Sequence, residues 1–154
     1  MAVVVFSLSA WCQSSIIVKL GTEVIENNSL SSAKESFSQR GMPLEQLVPG
    51  GNYVYMSERP TLLAALNVTS SNKIKEVSFL CGAAMWWEIG ANLDKAGFTL
   101  SKNSNVTLGN GAVVPQKTYV KGNILCLVQT LDNDMKQVIF KHKPVQSKKK
   151  LSSK

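Results

Sequence analysis

Across residues 2–12 the apolar side chains alternate. Phe6, Leu8, Ala10 and Cys12 fall on one side of an extended chain, with Ser7 and Ser9 on the other, and a period of two marks a half-buried strand. Gln13-Ser14-Ser15 reads as a turn. Residues 16–25, dense in β-branched side chains, read as a second strand with an irregularity at Gly21. Asn28 or Ser29 then caps a helix to about residue 39. Its apolar positions Leu30, Ala33 and Phe37 follow i, i+3, i+7, and Gly41 is the stop. Its amphipathicity is modest, which places it on the surface.

Pro43 and the Pro49-Gly50-Gly51-Asn52 turn bracket a short apolar piece, residues 44–48, and residues 52–56 read as a strand. Ser57 is placed to cap a helix with Pro60 in its first turn and Leu62, Leu63 and Leu66 as its buried stripe. A strand over 73–81 follows, carrying Ile74, Val77 and Phe79. Residues 83–95 have the clearest helical period: Met85, Trp86, Ile89 and Leu93 share one face, with Gly97 as the C′ residue. From Phe98 onward, turn sequences at 102–105, 109–111, 121–123 and 132–134 punctuate a β-meander of four or five strands. The most apolar of these, 124–131, is expected at its centre.

These elements predict an α+β fold: a largely antiparallel sheet, about three helices in the first two thirds, and a C-terminal β-meander. At 154 residues the chain is long enough for one cored domain. No internal repeat and no linker stands out, so residues 1–140 are expected to form a single domain, with 141–154 as a flexible basic tail.

Charge changes this picture. Up to Met135 ten basic residues balance all ten acidic ones, and from Lys136 onward there are seven lysines and no carboxylate. The whole formal charge of +7 therefore belongs to the C-terminal segment, and a polyanionic partner would be met there. Cys12, Cys81 and Cys126 are odd in number and widely spaced, which argues against a disulfide framework and for a reducing compartment. The apolar N-terminus lacks a basic n-region and a small-residue cleavage site. The expectation is an intracellular protein, cytoplasmic or nuclear and not secreted, with no membrane span.

Catalytic and metal signatures are missing. His142, the one histidine, stands at the start of the tail, where a solvated role is expected. Cysteine pairs close enough for structural zinc do not occur, and neither glycine-dense turn fits a nucleotide-binding loop. No metal or cofactor is predicted. Tyr53 and Tyr55, two apart on a strand, project to one side and with Arg59 form a candidate base-stacking face. Trp87, about 100° around its helix from Trp86, is a candidate partner contact. The remaining candidates are Lys136, Lys141, Lys143, Lys148, Lys149, Lys150 and Lys154, as a phosphate-neutralising arm.

Three functional classes follow. The leading one is a non-enzymatic, nucleic-acid-associated subunit of a viral or ribonucleoprotein-type assembly, binding RNA or single-stranded DNA through the tail and forming a homo-oligomer or larger assembly. The second is a structural or protein-interaction subunit that self-associates through sheet edges and Trp87. The third is an enzyme whose site is dispersed along the chain.

Overall fold

A computed structural model describes residues 8–47, 49, 51–58, 61–82, 88–132 and 135–145. Three helices, α1 (Leu8–Asn27), α2 (Leu30–Gln39) and α3 (Ile89–Lys95), accompany eight strands. The strands are β1 (Glu45–Gln46), β2 (Tyr53–Glu58), β3 (Thr61–Val68), β4 (Ile74–Cys81), β5 (Thr99–Thr107), β6 (Val113–Lys121), β7 (Ile124–Thr130) and β8 (Lys136–His142). All pair antiparallel in one sheet of order β1-β2-β3-β4-β8-β7-β6-β5. The predicted α+β class, three helices and C-terminal meander are all present.

That strand order reads the same from either edge once β1–β4 are matched with β5–β8, so the sheet is two half-sheets joined at β4 and β8. The match extends to side chains. Val77, Phe79 and Cys81 point to the buried face of β4 as Val138, Phe140 and His142 do in β8, and their partners are Leu66, Ala64 and Leu62 in β3 against Val128, Cys126 and Ile124 in β7. One strand further out, Tyr55 pairs with Ala64 and Tyr119 with Cys126. The helices before each half end alike. Gly41 and Gly97 have φ of +69° and +85°, which glycine adopts without steric cost. Met42 and Phe98 donate to the carbonyls of Phe37 and Leu93, and Gly41 and Gly97 to those of Ser38 and Asp94, the paired bonds of a Schellman stop. The chain thus contains an internal repeat that its sequence does not display.

The described helices all lie on one face of the sheet. The core lies between them, with Phe37, Phe79, Phe98 and Phe140 all fully buried. Phe79 stacks on Phe37 at 6.1 Å and meets Phe140 edge-on at 6.2 Å, and Phe98 meets Phe140 at 6.1 Å. α1 crosses this cluster at Gly21, where an added Cβ would lie 2.3 Å from the Phe140 ring. A polar clamp joins α1 to α2: Ser36 Oγ donates to Glu23 Oε1 at 2.6 Å, and Arg40 to Glu23 Oε2 at 2.7 Å and to the Ser36 carbonyl at 2.9 Å.

Several sequence expectations are corrected. Residues 16–25 are helical, as are 8–12 of the first predicted strand; residues 2–7 lie outside the described residues. Ile17, Leu20, Gly21, Val24 and Ile25 are buried while Ser15, Lys19 and Glu26 are exposed, a period near 3.6 that the β-branched run disguises. The helix predicted after Ser57 is instead β3. Leu62, Ala64 and Leu66 are buried and Leu63 and Ala65 half-buried, because β2 and β4 on either side supply the ladder and tertiary pairing overrides leucine's helical preference. α3 begins at Ile89, Glu88 having non-helical backbone angles. Met85, Trp86 and Trp87 lie outside the described residues. α2 lies at the surface as expected, with Ser31, Lys34, Glu35, Ser38 and Gln39 exposed, and its other face carries Leu30, Ala33 and Phe37 into the core. β8 extends to His142, and Lys143 N–H donates to the Asn123 carbonyl, so the folded body runs past residue 140. His142 sits opposite Ile124, and both its ring nitrogens are buried with no hydrogen-bond partner among the described residues.

Two outcomes test this packing. Gly21→Ala gains about 0.5–1 kcal/mol of helix propensity, yet the contact with Phe140 dominates and overpacking costs ~1–3 kcal/mol, so chemical denaturation should show net destabilisation. Glu23→Gln should lower stability at pH 7 by about 1 kcal/mol. The bond from Ser36, with Arg40 beside it, holds the Glu23 carboxyl below its ordinary 4.5 despite partial burial. Its stabilisation is therefore complete above that value and is lost as pH falls through the lowered one, so urea midpoints of the two proteins should converge in acid.

Candidate functional site

Among the described residues, no helix lies over the second face of the sheet. Cross-strand rows run along it: Met56, Leu63, Leu80, Gln137, Gln129 and Gln116 in one, and Val54, Ala65, Ser78, Ile139, Leu127 and Thr118 in the next. A third places Glu76 opposite Lys141, which is followed by Leu125 and Val120. Strand alternation forces this composition. The even positions of β7 and β8 enter the core, so the odd ones, Leu125, Leu127 and Ile139, emerge on the open side.

Those side chains are half-buried, and Met56 is 71% exposed. The centre of the face is aliphatic. A glutamine band, in which Gln129 Nε2 donates to Gln116 Oε1 at 2.8 Å, borders it on one side and the Glu76–Lys141 row on the other. An aliphatic sheet face with a polar border is the composition of a macromolecular contact surface.

The sequence-predicted residues separate onto several surfaces. Tyr53 and Tyr55 do share a side, but it is the helix side. Both are half-buried against the core, and Lys34 Nζ stands 4.4 Å from the centroid of the Tyr53 ring, occupying that ring by a cation–π contact. Lys141 is on the open face. Lys136 starts the same strand on the helix side, at the rim of a groove between α3 and β5–β8. Five residue steps apart along the strand, about 17 Å of rise, and on opposite faces, Lys136 and Lys141 do not form one cationic patch. Lys143 follows β8 directly, its N–H donating to the Asn123 carbonyl. Arg59, Trp87, Lys148, Lys149, Lys150 and Lys154 lie outside the described residues. Sequence reasoning missed the open face; the alternation of leucine and isoleucine in β7 and β8 was its available signal.

Chemically reactive groups are muted. Burial pushes the Cys81 thiol up to about 12 and raises that of Cys126 as well, so neither supplies a thiolate at neutral pH. No group of three His, Cys, Asp or Glu side chains stands ready for a metal among the described residues. No described helix is long and apolar enough to cross a membrane.

Fold and surface together define a two-layer protein built from a repeated helix-plus-four-strand unit, with helices on one side of a continuous eight-stranded sheet. No family model matches the chain, and no curated protein does. A similar solved structure is that of a DUF4309 family protein, YjgB, from Bacillus subtilis subsp. subtilis str. 168. It is 14% identical, covers 85% of this chain and 99% of its own, and superimposes with a TM-score of 0.52. That likeness shows the fold alone.

Proposed function

We propose that this protein is a non-enzymatic, nucleic-acid-associated subunit of a larger assembly. In this reading the lysine-rich C-terminal segment neutralises phosphates and the body contributes partner contacts. The observation that carries it is the segregation of charge: the chain to Met135 sums to zero, and all of the surplus lies from Lys136 onward. Lys141 and Lys143 stand at the end of β8 that is nearer in sequence to Lys148, Lys149, Lys150 and Lys154, whereas Lys136 stands at its other end. Contacts of this kind bind without reading sequence and weaken steeply with salt.

The open aliphatic face favours a second reading, in which the same body is a protein-interaction subunit that self-associates and has no nucleic-acid role. Eight strands at about 4.8 Å spacing span roughly 34 Å, wide enough for one side of a standard interface of ~800 Å² per partner.

Fluorescence anisotropy with mixed-sequence single-stranded RNA distinguishes the two. The comparison is between the full chain and a full-length variant carrying K148S, K149S, K150S and K154S, because ending the chain at Phe140 would cut the central strand. The full chain should bind and lose about 10²-fold in affinity between 50 and 200 mM salt, and the variant should bind far more weakly. Equal binding by both proteins, or none by either, overturns the nucleic-acid reading. In that event a dimer in sedimentation that Leu127→Asp disperses establishes the second.

A further inference from the structure

Besides α1, which only the first half has, the two halves differ at a few matched positions, and one set of these lies at a groove. In the first half Lys34 of α2 lies across Tyr53, and Val68 packs against the core. At the corresponding places in the second half stand Gly90, Lys117 and Thr130, as the strand registers and the paired helix stops require. Lysine has become glycine in the roof, and an aromatic and a valine have become polar in the floor.

The resulting groove has a volume of about 840 Å³, within the ~300–1,000 Å³ typical of small-molecule sites. Among the described residues a Cβ at Gly90 would meet the Tyr119 hydroxyl, at a tight 3.2 Å, and nothing else within 4 Å, so the glycine keeps a side chain out of the groove and off that hydroxyl. We propose that this groove binds a small anionic, hydroxyl-bearing ligand, a sugar carrying a phosphate or a carboxylate group. This inference is independent of the nucleic-acid reading.

The floor supplies the chemistry. Asn103 pairs with Lys117, and Lys117 with Val128; Asn105 pairs with Pro115, and Thr130 with Lys136. Two ammonium groups therefore flank a floor of amides and a hydroxyl, with Glu88 at the helix end. Lys117, Lys136, Asn103, Asn105 and Thr130 spend none of their side-chain polar groups on hydrogen bonds or ion pairs with other described residues. Tyr119 is 9% exposed, and its buried phenol is held protonated as a donor. Point-charge ammonium groups suit phosphate or carboxylate, while amides and a glutamate accept and donate to sugar hydroxyls. The groove has one carboxylate against two lysines, which favours an anion over a cation.

The test is amide-resolved NMR titration of the full chain with glucose 6-phosphate, glucuronate, glucose and inorganic phosphate, each to about 10 mM so that a Kd of ~1 mM is detected. The amides of Asn103, Lys117 and Thr130 should shift with an anionic sugar and not with glucose, and the tighter of the two anionic sugars assigns phosphate or carboxylate. K117Q/K136Q should keep the thermal midpoint and lose about tenfold or more in affinity, as expected for removing charge-assisted bonds. Gly90→Gln, which puts a side chain where the first half has Lys34, should also abolish the shifts. Silence of these amides with every probe, unchanged affinity in K117Q/K136Q, or inorganic phosphate binding as tightly as glucose 6-phosphate overturns the assignment.

Discussion

Phe140 stands at the seam between the two half-sheets, edge-on to Phe79 and Phe98, with the backbone of α1 lying on its ring at Gly21. Only a residue without a side chain permits this approach. The closeness lets one 20-residue helix cover the join of both halves, because α1 reaches β4 and β8 together. Phe37 stacks on Phe79 from the α2 side, so the aromatic cluster draws on both helix–sheet units. Interiors packed at this density do not deform gradually. The pairing of β4 with β8 and the seating of α1 therefore stand or fall together.

A second property follows from building the core this way. Each half contributes its helices to the same side, so the described layers of packing lie on one face and no described element covers the other. Alternation then dictates that a strand apolar over five successive residues, as β7 is from Ile124 to Val128, must show Leu125 and Leu127 outward while Ile124, Cys126 and Val128 enter the core. Strands buried on both faces read as continuous apolar runs. Here the described residues supply no second cover, and this is the physical basis for reading the body as a contact module. The helix side serves a different purpose in each half. The first half closes over Tyr53 with Lys34, and the second opens a polar groove at Gly90.

The meander was legible because its punctuation is local. Gly109-Asn110-Gly111 and Lys121-Gly122-Asn123 turn the chain whatever surrounds them, and Gly111 and Gly122 do adopt positive φ. α1 was not, because Ile16, Ile17, Val18, Val24 and Ile25 have the composition of a strand, and only their burial against the sheet exposes the helical period. β3 failed in the opposite direction: its leucines suit a helix, and the strands on either side decide otherwise. Of the site, the tyrosine pair's shared side could be read from spacing, but which layer it faces is a tertiary fact. The repeat leaves only a thin trace, Val77-x-Phe79 against Val138-x-Phe140 with a glycine stop before each half, and the groove is legible only once those positions are aligned. The charge segregation needed no structure at all.

The seam is best tested by nuclear Overhauser contacts in the full chain, measured alongside the accessibility of side chains to a soluble paramagnetic agent. The account predicts cross-strand contacts in the register Val77 to Phe140 and Phe79 to Val138, and contacts from the Gly21 α-protons to the Phe140 ring. It also predicts that in the monomer Leu63, Leu127 and Ile139 are relaxed by the agent while Leu66, Cys126 and Val138 are not. Pairing of β8 with a strand other than β4 and β7, or protection of Leu127 and Ile139 in the monomer, would contradict it.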